Sequence, residues 1–159
     1  MRVSIRAIGR LKTSPEQALA LDYLSRAEKL GRRAGIPSVS LTELPESRAG
    51  TLLLRQREET SRLLAAMPEG TVLIALDERG EEMTSLQFAA DLRRFLDGGS
   101  KHLAFLIGGA DGHAPELQAR ARLLSLGRMT WPHALVRLML AEQIYRSVTI
   151  LINHPYHRA

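Results

Sequence analysis

The chain has 159 residues, no cysteine, 45% hydrophobic and 25% charged side chains, and a formal net charge of +5. That length suits a single domain, residues 1–159, able to bury a real core. The absence of cysteine excludes disulfides, cysteine-zinc sites and thiol catalysis. Residues 1–35 hold eight basic side chains against three acidic ones, while the remainder balances at 14 and 14. A basic surface on one part of a chain suits phosphate partners such as RNA, although a solvated helix face also fits. The stretch MRVSIRAIGRLK interleaves arginine with apolar residues and lacks the apolar core of a signal peptide. No apolar run approaches the length of a bilayer span. A cytoplasmic protein with no membrane partner is expected.

Val3, Ile5 and Ala7 alternate with Arg2, Ser4 and Arg6, which predicts a strand with one wet face. Thr13 or Ser14 caps a helix with Pro15 in its first turn, running to about Gly35. Pro37 to Leu44 reads as a short strand, Pro45 to Gly50 as a loop and Thr51 to Met67 as a helix. Thr71 to Leu76 is an apolar run that predicts a buried strand, ending at Asp77. Glu78 to Met83 is polar, contains Gly80 and reads as a loop. Ser85 to Leu96 has helical spacing and is stopped by Gly98 and Gly99. His102 to Ile107 is a strand, Pro115 to Ala121 a short helix, and Arg122 to Leu126 another short strand. Gly127 to His133 is irregular, and Ala134 to Ile152 is a long helix before the terminal NHPYHRA. Strands alternating with helices predict an α/β domain with a mainly parallel sheet flanked by helices.

Three loops follow apolar strands: Asp77 to Met83, Gly108 to His113 and Gly127 to His133. If those strands are neighbours, the loops converge on one rim, where open α/β sheets bind ligands. LAFLIGGADG, residues 103–112, is the most informative. Its apolar run suits a strand buried on both faces, and Gly108 and Gly109 allow a sharp turn or a close ligand. A bare strand-to-helix turn and a ligand-binding turn both fit this motif.

The nucleotide fingerprints G-x-G-x-x-G and Walker A are missing, as is a G-x-S-x-G nucleophile elbow. No histidine pair has H-E-x-x-H spacing, so no metal is expected. The tail places Asn153, His154, Tyr156, His157 and Arg158 together. A ring beside a cation is a combination used against bases and phosphates, though cations also suit a helix C-terminus.

FLIGGADG (105–112), LSLGRMTWPH (124–133), LVRLMLAEQIYR (135–146) and NHPYHR (153–158) occur in that order. With Leu76-Asp77 and the amino-terminal MRVSIRAIGRLK, this ordered set resembles the RlmH family of SPOUT methyltransferases over the whole chain. Ala134 departs from the proline usual in that family, and GADG stands where many relatives have GPEG. The resemblance implies a SPOUT (α/β knot) fold with a deep carboxyl-terminal trefoil knot. It implies a homodimer whose sites are completed by the partner chain, with S-adenosylmethionine as methyl donor. The implied substrate is a pseudouridine in the 23S rRNA of the assembled ribosome, methylated at N3. Another RNA, such as a transfer RNA, or a non-catalytic ribosome-binding role are the alternatives.

Carried over by motif, Leu76 lines the cofactor pocket and Gly108 lies at the close-approach turn. Gly127, Arg128, Met129, Thr130, Trp131 and Pro132 wrap the cofactor. Removal of the N3 proton calls for a base. His133, His154 and His157 are the candidates, while a structural hydrogen bond at a helix start is the other reading of His133. Arg158 or Arg137 would stabilise developing charge, and Tyr156 would stack on or bond the target base. Glu142 and Arg146, one turn apart, read as an intrahelical pair. Asp111 has no assigned role. Charge reversal at Arg32 and Arg33 is expected to weaken methylation without affecting cofactor binding.

Overall fold

The computed structural model describes residues 1–158. The elements follow as β1 (Arg2–Ile8), α1 (Pro15–Gly31), β2 (Ser38–Leu44), α2 (Leu52–Leu64) and β3 (Val72–Glu82). Then come α3 (Ser85–Asp97), β4 (His102–Ile107), α4 (Pro115–Gln118), β5 (Arg122–Ser125) and α5 (His133–Leu151). The five strands form one parallel sheet in the order β2-β1-β4-β3-β5. The expected α/β architecture therefore holds. After β4 the chain doubles back past β3 to place β5 at the edge, and α5 then crosses to pack beside α1 and α3. This back-crossing is consistent with the expected carboxyl-terminal trefoil knot.

Alternation along the strands assigns the two faces of the sheet. Val3, Ile5, Ile74, Leu103, Phe105 and Ile107 pack with Leu24, Leu92, Leu140, Ile144 and Val148 in the larger core. Ala75, Ala104 and Leu106 face the other way, with Leu63 of α2 and Leu117 of α4. β4 sits at the centre, and Leu103 to Ile107 are all buried, as the uninterrupted apolar run predicted. The wet face of β1 has a specific use. Arg6 donates to the carbonyls of Ala65 (2.8 Å) and Arg62 (3.1 Å), satisfying the exposed end of α2.

The helix starts follow from their caps. The Ser14 hydroxyl accepts from the Gln17 amide, and Thr84 and Gln87 form a reciprocal capping box. Asp91 of α3, buried, pairs with Arg94 and with Arg122 of β5, tying the edge strand to the helix layer.

One expected loop is a strand. β3 continues through Asp77 to Glu82, and Leu124 pairs first with Leu76 and then with Glu81 across an irregularity. Residues 77–80 bulge out, and Gly80 lies so close to β5 that a Cβ there would fall 2.5 Å from the Leu124 carbonyl carbon. The segment is polar because this half of β3 extends past the end of β4, and its bulge faces the cleft described below.

Candidate active site

The carboxyl ends of β4, β3 and β5 are adjacent, so the loops that follow them meet. They enclose a cleft of about 410 Å³, walled by Leu76 to Arg79, Ile107 to His113 and Leu124 to Gly127, with Met129, Thr130, Trp131 and His133. The convergence expected from the order of strands and loops is therefore present. The volume is in the range of small-molecule sites.

The glycine turn is shaped by the protein itself. A Cβ on Gly108 would stand 3.1 Å from the Gly112 carbonyl carbon and 3.2 Å from His113 Cε1. On Gly109 it would lie 2.7 Å from Glu59 Oε2. Gly109 is thus fixed by a buried carboxylate of α2, and Gly108 presents bare backbone on the cleft wall. Asp111, left without a role by its sequence, braces this turn. Arg55 Nε donates to its carboxylate at 2.6 Å, and Gln56 Nε2 donates to its carbonyl at 2.7 Å. The Arg55 contact holds the Asp111 carboxyl below the usual carboxylate range.

Across the cleft, burial pushes the Asp77 carboxyl up. Bonds from the side chain and backbone amide of Arg79 outweigh that effect, so the group stays ionised. Gln118 Nε2 also donates to Asp77, at 3.1 Å. His113 is buried, with Nε2 3.1 Å from the Leu76 carbonyl oxygen. Burial pushes its pKa down against the opposing pull of the Leu76 carbonyl, Asp77 and the Leu106 carbonyl, so the ring is neutral. Gln56 and Gln118 carry no signal in the sequence, while Asp77 and His113 stand there only as loop bounds, with no role of their own. Only the fold brings the four together.

The sequence-derived residues divide into two groups. Leu76, Gly108, Gly127, Met129, Thr130, Trp131 and His133 all line the cleft. Arg128 and Pro132 belong to the same exposed loop but are not on its wall, and Arg128 reaches Glu82 at 3.5 Å. His133 is the first residue of α5 and is exposed, with no side-chain bond capping the helix. Among the described residues, His133 makes no structural hydrogen bond at this helix start.

His154, Tyr156, His157 and Arg158 are not at the cleft of their own chain. The tail folds back on α5. Tyr156 donates to Glu142 at 3.0 Å, packs edge-on against Tyr145 at 4.7 Å and lies under the Arg146 guanidinium at 5.0 Å. Burial, then the bonds to Tyr23 and Glu142, push the Tyr156 phenol pKa up, so it remains protonated. His154 Nδ1 accepts from the Tyr156 amide, and His157 Nδ1 lies 3.5 Å from Arg146. Glu142 and Arg146 form the expected intrahelical pair at 2.5 Å. Glu142 stands roughly 14 Å along α5 from His133.

Arg137 has a different place from the one its charge suggested. It is buried, paired with Glu43 at 2.6 Å, and donates to the carbonyls of Ile8 and Gly9. It joins α5 to the end of β1 and does not face the cleft. Among the described residues, no group of three or more His, Cys, Asp or Glu is placed to hold a metal ion. No helix is long and apolar enough to cross a membrane, again among the described residues.

A family model described as a predicted SPOUT methyltransferase matches residues 1–157. The chain is 49% identical over 160 residues to the ribosomal RNA large subunit methyltransferase H of Bradyrhizobium diazoefficiens, covering 100% of both chains. It is 52% identical over 159 residues to the protein of the same name from Rhizobium rhizogenes, covering 99% of each. Among solved structures, the SpoU methyltransferase AviRb from Streptomyces viridochromogenes, in complex with AdoMet, aligns with a TM-score of 0.39 and 16% identity. That alignment covers 96% of this chain and 61% of that one.

Proposed function

Because the chain belongs to the SPOUT methyltransferase family, we propose that it methylates large-subunit ribosomal RNA, using S-adenosylmethionine. The target of this reading is N3 of a pseudouridine in the 23S rRNA of assembled ribosomes. The enzyme works as a cytoplasmic homodimer. The observation that carries the reading is the meeting of three loops at the carboxyl ends of β3, β4 and β5, with bare Gly108 backbone on the wall.

The cleft fits the donor. Its walls combine Leu76, Ile107, Leu124 and Val136 with glycine-loop backbone and the ionised Asp77, which suits a molecule with an adenine, a ribose and cationic centres. When bound there, the donor supplies a methyl group on a sulfonium, an activated electrophile that needs no metal. Leu76, Gly108 and the Gly127 to Pro132 loop hold and orient it, with Met129 and Trp131 at the mouth. The target nitrogen must lose its proton to a base and receive the methyl carbon in line, and positioning supplies much of the acceleration. His133 is the base candidate on the cleft of its own chain. The amino end of α5, where it sits, also favours negative charge developing on the uracil ring.

His154, Tyr156, His157 and Arg158 reach a site only from the partner chain in this reading. A second cleft of about 490 Å³ supports a partner surface beside the tail. It is lined by Leu19, Tyr23, Met83, Phe88, Leu138 and Met139 among others, and it shares the Leu124 to Gly127 wall with the first.

Titration calorimetry with S-adenosylmethionine tests the reading first. We expect saturable binding by the wild-type protein and its loss in Gly108→Leu, whose side chain would enter the wall. No binding by the wild type contradicts methyl transfer and leaves a non-catalytic ribosome-binding role. Labelling of transfer RNA in place of ribosomes would move the activity to the other RNA class.

A further inference from the structure

His113 carries four observations that the proposed reaction does not use. It is only 3% exposed, yet it lies on the cleft wall. Its Nε2 is 3.1 Å from the carbonyl oxygen of Leu76, at the end of β3. Its Cε1 would be 3.2 Å from a Cβ on Gly108, so the ring fills the space behind the bare glycine. Its Nδ1 is buried without a hydrogen-bond partner. A neutral imidazole has one N–H. A carbonyl oxygen only accepts, so the bond to Leu76 places the proton on Nε2 and leaves Nδ1 as a bare acceptor.

We propose that His113 is a positioning residue of the cofactor cleft. Its Nε2–H fixes the Leu76 carbonyl, and its ring props the Gly108 backbone from behind. The ring thereby couples the ends of β3 and β4, two neighbouring walls of the same cleft. The inference rests on the cleft being the S-adenosylmethionine site. His113 acts on cofactor affinity and not on the transfer step, since it touches the walls and not the mouth where His133, Met129 and Trp131 are exposed.

The test compares His113→Phe, which keeps a ring without a donor, with His113→Gln, whose amide N–H reaches the position of Nε2. Calorimetry with S-adenosylmethionine gives affinity, and a labelled-methyl assay on ribosomes gives KM and kcat separately. Loss of one hydrogen bond predicts about a tenfold weaker Kd and a parallel rise in KM for His113→Phe. kcat at saturation stays within about twofold, and His113→Gln returns Kd to within about threefold of wild type. Equal binding by wild type and His113→Phe overturns the proposal. So does a His113→Gln variant no tighter than His113→Phe, or a fall in kcat with KM unchanged. If His113→Phe does not fold by circular dichroism, His113→Asn replaces it under the same criteria, because its amide stops short at the position of Nδ1. A wild-type protein that does not bind the cofactor contradicts the proposed function instead, so the two failures are distinct.

Discussion

Burial of His113 links stability to acid. Its pKa in the folded chain lies below the ordinary 6.5, because burial disfavours the charged ring, while the nearby Asp77 carboxylate opposes this only in part. The unfolded chain therefore binds the proton more readily. Stability from the neutral ring is fully present above about pH 6.5 and is lost as pH falls from there through the folded pKa. Urea midpoints measured from about pH 7.5 down to about pH 5 should drop in the wild type and drop less in His113→Gln. Parallel curves for the two proteins would exclude this linkage. Gly109 makes a second residue-scale prediction. A methyl group there meets Glu59 Oε2 at 2.7 Å, so Gly109→Ala forces α2 or the turn to move. A cost of about 1–3 kcal/mol is expected from denaturant unfolding. The glycine pair was legible in the sequence as a sharp turn, but its cause was not. The crowding comes from α2, about 50 residues earlier.

At the scale of elements, Arg137 joins α5 to β1 and β2. Its guanidinium meets Glu43 of β2 and the carbonyls that end β1. Arg137→Ala removes the ion-pair partner of Glu43, which keeps the Leu11 amide, and leaves the buried Ile8 carbonyl without this donor. Destabilisation of about 3 kcal/mol is expected by urea unfolding, and a change below about 1 kcal/mol would show that the joint is dispensable. From sequence, an arginine on the amino-terminal half of a helix close to GRMTWPH looked available for catalysis, because nothing local marks it as buried. The full length of β3 is hidden in the sequence for a related reason. Its second half is polar, and pairing with β5 through a bulge is a tertiary property that alternation does not encode. β4, buried on both faces, and the helices with strong caps were legible because their signals are local.

At the scale of the whole molecule, exposed basic side chains of the amino-terminal segment stand at both ends of the sheet. Arg32 and Arg33 follow α1 at the amino end of the sheet, where the Met1 amine donates to the Gly35 carbonyl. The cleft is at the carboxyl end, where Arg10, Lys12 and Arg128 are exposed. Charge reversal at Arg10 and Lys12 should therefore weaken ribosome methylation more than reversal at Arg32 and Arg33, with cofactor binding unchanged in both. A larger loss at Arg32 and Arg33 would place RNA on the far pole. Of the eight basic side chains that made the amino-terminal surface conspicuous, Arg6 is committed to the end of α2 and Arg26 to Asp22.

The tail was legible as a cluster of functional groups, but not in its location. It docks on α5 of its own chain through Tyr156 and Glu142. If the partner's tail completes each cleft, mixing Gly108→Leu with Arg158→Ala should restore activity that neither variant has alone. Heterodimers would then pair an intact cleft with an intact tail. Failure to restore activity in a confirmed heterodimer would contradict shared sites.

Methyl transfer to large-subunit ribosomal RNA is measured by incubating the purified protein with unmodified ribosomes and isotope-labelled S-adenosylmethionine, followed by nucleoside mass mapping. Label is expected in 23S rRNA as a pseudouridine methylated at N3, and its loss is expected in Gly108→Leu. An absence of label from large-subunit RNA, with the cofactor bound, would contradict methyl transfer to it.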